Sequence, residues 1–208
     1  MTTKALVLLA GIAAFFGGWA VITVEDLPDY IVARKPVALT FTVRQHGVRP
    51  LQALAPTLEA RSGGLRQSVA AVPGREPGQY IASIAVPQAG TWTFTIHSGF
   101  GSSEATLVPL EAVDAGSRSV PVLSQTEQGR RLFVAKGCAT CHSAGVVGPD
   151  LTGMRLPPDF VKRFLADPAI LAAAENRPFR MPNLNLKAGE IDALVAYLNA
   201  ETPAQPAR

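Results

Sequence analysis

The chain contains two cysteines, and both lie in one five-residue stretch, Cys138-Ala139-Thr140-Cys141-His142. The pattern Cys-x-x-Cys-His is the attachment signature of c-type haem. Two thiols three positions apart in a helical turn can each add to one vinyl group of the same porphyrin, and the adjoining imidazole is then beneath the iron. The stretch therefore predicts one covalently attached haem c, with thioether bonds from Cys138 and Cys141 and with His142 as the proximal iron ligand.

Three other roles for the two cysteines fit the sequence less well. A structural zinc site needs four ligands, and beyond this stretch the chain offers only His46 and His97, which lie far away in the N-terminal half. A thioredoxin-like dithiol pair is expected in a β-α-β setting, whereas the surrounding pattern is helical. If the two cysteines were simply buried and inert, the presence of a histidine directly after them would remain unexplained.

Composition narrows the class of protein. With 48% hydrophobic and 17% charged residues, the sequence is globular rather than disordered. Its pI near 9.1 rests on a net charge of only +3, from 19 basic and 16 acidic residues that are interspersed rather than clustered. Because a nucleic-acid-binding protein concentrates its basic residues on one face or stripe, we do not expect DNA or RNA as a partner.

The N-terminus predicts export. An apolar run from Ala5 to Val24 follows Lys4, and its only polar side chain is Thr23. Residues 1–20 fit a signal peptide with Gly18-Trp19-Ala20 as a cleavage site, yet the run is also long enough for a membrane anchor. Cleavage is favoured because Ala20 to Glu25 also has the pattern of a first β-strand. Either alternative places the protein in the periplasm or on the extracytoplasmic face of the membrane.

Residues 21–112 have the pattern of an all-β domain. Residues at every second position of one stretch are apolar and would point to the same side, which is typical of a half-buried strand: Val37, Leu39, Phe41 and Val43. Similar runs, separated by Gly- and Pro-rich turns, occur at Ala53–Ala60, Leu65–Val72, Tyr80–Val86, Thr91–His97 and Ala105–Leu110. About seven short strands in about 90 residues predict an antiparallel, immunoglobulin-like β-sandwich.

Two local features of this domain resemble known proteins. The stretch from Pro77 to Ala82 resembles the tyrosine corner of immunoglobulin-type sandwiches, with Tyr80 as its tyrosine. The run Val32 to Gly47 resembles the YtkA-like group of exported domains, and some relatives of that fold bind copper. This resemblance makes a copper site at His46 and His97 conceivable, although two histidines without a nearby third ligand are more often surface residues. A docking or spacing role is the preferred interpretation of the domain.

Residues 113–123 have the composition of a linker, with Ala115-Gly116-Ser117-Arg118-Ser119 followed by Pro121. The pattern then becomes helical and predicts a small all-α domain over residues 124–201, before a tail at 202–208. A capping box at Ser124 begins the first helix, which stops at Gly137. A second helix is predicted from Pro158 to Ala166, and apolar residues at helical spacing from Ile191 predict a C-terminal helix.

The stretch from Ser124 to Ala200 resembles a small bacterial class I cytochrome c. Gly129 and Phe133 match the family's first helix, where the glycine permits close crossing by the last helix. Gly148-Pro149-Asp150-Leu151 matches the loop after the haem motif, and the resemblance implies that the Pro149 carbonyl accepts the ring N–H of His142 and orients it. The family's remaining signatures correspond to Met181-Pro182 and to the helix from Glu190 to Leu198.

The sixth iron ligand lies between two methionines of this domain. Met154 follows His142 by only 12 positions, in the loop that leaves the proximal side, so the opposite haem face is hard for it to reach. Met181 follows by 39 positions and matches the family's ligand motif. We therefore predict Met181 as the distal ligand, with Met154 or an open or otherwise filled position as the alternatives.

Histidine and methionine ligation fills both axial positions of the iron and predicts an electron carrier rather than an enzyme. The expected partners are redox proteins, above all a membrane respiratory complex or a periplasmic reductase. One alternative is a haem peroxidase or the cytochrome subunit of a redox enzyme, although His142 is the only histidine of the predicted haem domain. The other is a copper-binding or sensing protein with an accessory haem.

Overall fold

The structure is a computed structural model that describes residues 18–143, 147–151, 154–171 and 181–200. The predicted signal peptide or anchor lies largely outside these residues, as does the predicted tail. Within the described ranges, none of the helices has both the length and the apolar character that crossing a bilayer requires.

Two β-sheets form the N-terminal half. The first sheet has the order β1-β3-β8-β7, with β4 paired to β3, and the second has the order β2-β11-β9-β5-β6, with β10 paired to β9. The strands are β1 (Ala20–Val24), β2 (Tyr30–Val32), β3 (Val37–Gln45), β4 (Arg49–Pro50), β5 (Thr57–Ser62), β6 (Leu65–Ala70), β7 (Val72–Pro73), β8 (Gln79–Ile84), β9 (Gly90–His97), β10 (Glu104–Thr106) and β11 (Leu110–Val113).

The core between the sheets is built from alternating side chains, as the sequence predicts. Leu39, Phe41 and Val43 of β3 are fully buried, and so are Trp92, Phe94 and Ile96 of β9, which belong to the opposite sheet. A two-layer sandwich is therefore confirmed. Its large aromatic side chains bury the apolar area that a domain without a disulfide needs.

Three details of the β-domain differ from prediction. The expected strand at Ala53–Ala60 begins at Thr57, and positive φ at Ala53 marks the preceding stretch as a turn. The single strand expected at Ala105–Leu110 is two short strands, β10 and β11. The sandwich is also not wholly antiparallel, because β11 pairs with β2 in parallel. Short strands with few alternating residues carry too little periodicity to be located from sequence.

Tyr80 is buried, but it does not form the predicted tyrosine corner. Its hydroxyl donates to the carbonyl of Leu51 (2.9 Å) and accepts from the amide of Leu54 (3.1 Å), which lie 29 and 26 positions upstream. In a tyrosine corner the acceptor lies only a few positions upstream. Tyr80 instead fastens the irregular segment between β4 and β5 to the core.

In the described part of the C-terminal half, the structure contains four α-helices and a short 3-10 turn. The helices are α1 (Gln125–Ala135), α2 (Cys138–His142), α3 (Pro158–Ala166) and α4 (Ala188–Leu198), and the 3-10 turn spans Pro168–Leu171. The Ser124 hydroxyl accepts a hydrogen bond from the Glu127 amide at 3.2 Å and caps α1. The predicted helical domain is thus confirmed, and α3 has the predicted bounds.

Helices α1 and α4 cross at Gly129. A Cβ atom at this glycine would overlap the backbone carbonyl of Ala193 and lie 2.7 Å from Cβ of Tyr197, so no larger residue fits. Beside the crossing, the rings of Phe133 and Tyr197 pack with centroids 5.4 Å apart. Among the described residues, the buried members of this second core come from α3 and α4: Val161, Leu165, Ile191, Leu194 and Val195.

Candidate metal centre

The predicted site residues converge on one cavity. A space of about 310 Å³, partly open to solvent, is lined by Cys138, Cys141, His142, Pro149 and Met181. Its wall is mainly apolar, with side chains from α3 and α4 and from the segments around them: Leu151, Leu156, Phe160, Val161, Phe164, Leu165, Leu184, Leu194 and Leu198. The cavity thus brings a thiol pair, an imidazole and a thioether together within an apolar lining.

The cysteines are presented by a sharp change of chain direction. Helix α1 ends at Ala135, and Gly137 then adopts φ +73, a left-handed conformation that favours glycine. Helix α2 begins immediately at Cys138, so Cys138 and Cys141 are one helical turn apart. Side chains three positions apart lie on the same face of a helix. This local fold supplies the two adjacent thiols that the attachment chemistry needs.

Both cysteine thiols have a pKa above the usual value for cysteine. Burial raises the pKa of the Cys138 thiol to about 12, and it also raises the pKa of Cys141. Catalytic and redox-active cysteines usually have a lowered pKa, because the thiolate is the nucleophile. These observations argue against a thioredoxin-like dithiol pair.

His142 is held by the loop that follows it. Its Nδ1 lies 2.8 Å from the carbonyl oxygen of Pro149, so a proton on Nδ1 can be donated to that oxygen. The loop folds back because the amide of Gly148 donates to the carbonyl of Cys141 at 3.0 Å. With Nδ1 engaged, Nε2 is the ring nitrogen that can bind iron, and the acceptor fixes the orientation of the ring.

Gly148 has a role that the motif did not reveal. A Cβ atom there would lie 2.6 Å from Cε1 and 2.8 Å from Nδ1 of His142, which is closer than a carbon atom can approach. The absence of a side chain is therefore what allows the backbone to lie against the imidazole. The sequence contained the signal, a glycine before Pro149, but only the structure shows that this glycine lies against the ring of His142.

Both candidate methionines line the cavity, but their surroundings differ. Met154 is 40% exposed and lies just beyond the loop that holds His142. Met181 is half-buried and packs against the apolar cluster of α3 and α4. A thioether that serves as a lasting iron ligand is better supported by fixed apolar neighbours than by solvent. Of the two methionines, Met181 therefore has the surroundings that suit a lasting iron ligand.

The two histidines of the β-domain are positioned by strands of different sheets. His97 ends β9 in the second sheet, where its Nδ1 lies 3.1 Å from a carboxylate oxygen of Glu104. His46 follows β3 in the first sheet and lines the same cavity as His142. In the part of the chain that the structure describes, no three His, Cys, Asp or Glu side chains cluster as metal ligands would. We did not predict His46 at this cavity, because no local sequence pattern shows that the turn after β3 lies next to the helical domain.

These residues fit haem c. The two thiols are one helical turn apart, the imidazole is oriented by a backbone acceptor, and the remaining wall is apolar, as a porphyrin requires. When bound, the haem supplies an iron atom that changes reversibly between the ferric and ferrous states. The chain's own residues would attach it, orient its proximal ligand and exclude water from its faces.

Comparison with known proteins supports this interpretation for the helical half. Residues 124–198 match the family described as cytochrome c oxidase, cbb3-type, subunit III. The C-terminal helical region is thus a c-type cytochrome domain, and its cofactor is a covalently bound haem c. No curated protein matches the chain.

Three solved structures illustrate what else the chain is similar to. A superoxide reductase (neelaredoxin) from Ignicoccus hospitalis has 18% identity and a TM-score of 0.29, over 46% of this chain and 80% of that one. The PKD domain of human VPS10 domain-containing receptor SorCS2 has 12% identity and a TM-score of 0.26, over 47% and 75%. The polysaccharide lyase BACCELL_00875 has 15% identity and a TM-score of 0.22, over 56% and 14%.

Proposed function

We propose that this protein is a monohaem c-type cytochrome that carries single electrons outside the cytoplasm, to or from a respiratory or periplasmic redox complex. The observation that carries the proposal is the pairing of an oriented imidazole at His142 with the half-buried thioether of Met181 in one apolar cavity. Iron with both axial positions filled exchanges electrons without binding a substrate. Export is supported by the apolar N-terminal run.

The roles of the individual residues follow from this proposal. Cys138 and Cys141 each add an S–H group across a vinyl double bond, which forms an S–C bond and expels no leaving group. In the holoprotein, His142 would bind the iron through Nε2 while its Nδ1–H donates a hydrogen bond to the carbonyl oxygen of Pro149. Met181 supplies the distal ligand, and its thioether favours the ferrous form and so a high reduction potential.

A redox titration of the purified full chain tests the proposal. We expect one couple that follows a one-electron Nernst curve, and a low-spin spectrum in both oxidation states. A high-spin, five-coordinate ferric spectrum at neutral pH would contradict the assignment of an electron carrier.

One structural observation favours a second candidate, a haem peroxidase. His46 brings an imidazole to the cavity from the β-domain, whereas the sequence offered no distal base in the haem domain. A peroxidase needs such a base and an exchangeable sixth ligand. Rapid cyanide binding by the ferric protein, together with peroxide turnover that His46→Ala abolishes, would favour this candidate. Slow cyanide binding without turnover would leave electron transfer as the function.

A further inference from the structure

The first strand of the sandwich is buried on both faces, although it lies at the edge of its sheet. All five residues of β1 are buried, and β1 is the terminal strand in the order β1-β3-β8-β7. Ala20, Ile22 and Val24 belong to the sandwich core, whereas Val21 and Thr23 alternate with them and point the other way. Val21 and Thr23 are nevertheless only 5% and 7% exposed. Another part of the chain must cover this outer face.

Over Thr23, the side chain of Arg44 on the neighbouring strand donates from Nη1 to the hydroxyl oxygen at 2.8 Å. The cover over Val21 is the segment that leads into the cysteine motif. A Cβ atom at Gly137 would overlap Cγ1 of Val21 and lie 2.9 Å from the carbonyl oxygen of Ile22. Ala135, two positions earlier, is fully buried and belongs to the core cluster of the sandwich. The end of α1 is therefore seated on β1, one residue before Cys138.

Buried polar contacts fix this arrangement. Nζ of Lys136 donates to the carbonyl oxygen of Glu25 (2.6 Å) and pairs with Oε1 of Glu190 in α4 (2.8 Å), and the lysine side chain is only 8% exposed. Nη1 of Arg131 donates to the carbonyl oxygen of Asp29 at 2.8 Å. A buried cation is retained only where its partners are in place, so these contacts define one orientation of the two domains.

The sandwich also lines the haem cavity itself. Val21, Thr23, His46 and Gly47 share the cavity with the cysteines and with Met181. Gly47 comes close to the segment of the predicted distal ligand, since a Cβ there would lie 3.8 Å from Cγ of Pro182. The ring of His46 in turn packs on Trp19, with centroids 5.4 Å apart. Strand β1 and the turn after β3 thus form a continuous surface at the cavity.

We propose that the β-sandwich is one wall of the haem pocket, with Val21, Thr23 and the His46–Gly47 turn lying against the haem. The sandwich then excludes water from that side of the porphyrin. Because a ferric haem carries one more positive charge than a ferrous haem, exclusion of water disfavours the ferric form and raises the reduction potential. The N-terminal domain is therefore part of the redox centre rather than a spacer, and electrons exchange through the haem edge that it leaves uncovered.

Nuclear magnetic resonance on the full-length holoprotein tests the placement directly. Unpaired spin in low-spin ferric haem shifts the resonances of nearby nuclei, and this shift vanishes on reduction. We expect large redox-dependent shifts for the methyl groups of Val21 and Thr23. Val72 is the internal control, because it lies on β7 at the opposite edge of the same sheet and is 59% exposed. Shifts at Val21 no larger than those at Val72 would overturn the proposal.

A matched pair of variants tests the effect on potential. Val21→Asp brings a negative charge and water to the wall, and we expect it to shift the ferric-to-ferrous ratio at a fixed potential at least tenfold toward ferric, which is about 59 mV for one electron. Val72→Asp makes the same change at the far edge and should leave the potential unchanged. Equal potentials in the two variants would contradict the proposal.

The two measurements also separate this inference from the proposed function. If Val21→Asp fails to fold or to mature with haem, the shifts in the wild-type protein still decide whether the sandwich lies at the haem. Peroxide turnover with rapid cyanide binding would remove the electron-carrier assignment while leaving the wall intact. If the shifts at Val21 and Thr23 were absent while the titration followed a one-electron curve, the wall proposal would fall and the electron-carrier assignment would stand.

Discussion

The carbonyl oxygen of Pro149 lies 2.8 Å from Nδ1 of His142, and the backbone of Gly148 lies close to the same imidazole. We predict that Gly148→Ala displaces the ring, because its Cβ would lie 2.6 Å from Cε1 of His142. Changes to groups that orient a metal ligand typically weaken ligation 10–100-fold. The ferric protein should therefore acquire a high-spin fraction, which optical and electron paramagnetic resonance spectra would measure.

Gly189→Ala is the matched control for this variant. A Cβ atom at Gly189, in the first turn of α4, meets no atom within 4 Å. This substitution should leave the spectra unchanged and add stability of at most about 1 kcal/mol, because alanine is the better helix former. Identical low-spin spectra for both variants would show that the loop does not press on the imidazole.

The crossing of α1 and α4 gives a second prediction. Gly129→Ala places a methyl group against the backbone carbonyl of Ala193, which cannot turn aside as a flexible side chain could. We expect a loss of about 1–3 kcal/mol in the free energy of unfolding, the usual cost of overpacking. Thermal unfolding followed by haem absorbance would measure it. A melting temperature equal to that of Gly189→Ala would contradict this account of the crossing.

Much of the chain follows its local sequence pattern. Helix α3 has the predicted bounds, because two prolines at its start and Pro168 after its end punctuate an otherwise helical stretch. Strand β3 alternates apolar with polar residues in its sequence, and the structure fully buries Leu39, Phe41 and Val43 of the predicted face. The haem motif was equally evident in the sequence, whereas Pro149 as the partner of His142 was implied by the resemblance to class I cytochromes c.

What the sequence could not show depends on distant residues. Nothing in β1 indicates that Val21 is covered by the end of α1, more than 100 positions away. The same holds for Tyr80, whose hydroxyl partners lie 26 and 29 positions upstream rather than in its own turn. Hydrophobic periodicity identifies a buried face but not its neighbour, so the role of the sandwich at the haem was not predictable.

The two methionines give a third prediction. Met181→Ala removes the proposed distal ligand, so we expect a high-spin ferric spectrum, rapid cyanide binding and a lower reduction potential, because the thioether favours ferrous iron. Met154→Ala is the matched control, since this residue lines the same cavity but is 40% exposed. The reverse pattern, with Met154→Ala alone becoming high-spin, would assign the sixth position to Met154.

The small core of the helical domain gives a fourth prediction. A domain of about this size buries little apolar surface on its own, so we expect the porphyrin to supply much of its core beside the described cluster on α3 and α4. In the double variant Cys138→Ala/Cys141→Ala, which cannot attach haem, we expect the amides of α3 and α4 to exchange hydrogen at rates close to those of an unfolded chain. Strands β3 and β8 should stay protected. Protection of α3 and α4 without haem would show that the polypeptide core suffices.

The most direct test of the whole account is the mass of one tryptic peptide. Trypsin cleaves after Lys136 and Arg155, which releases residues 137–155 with both cysteines and His142. For the full chain produced in a host competent in haem attachment, we predict that this peptide carries the mass of one haem, because thiol addition expels no leaving group. The same peptide with two unmodified cysteines, from colourless protein, would contradict the central claim.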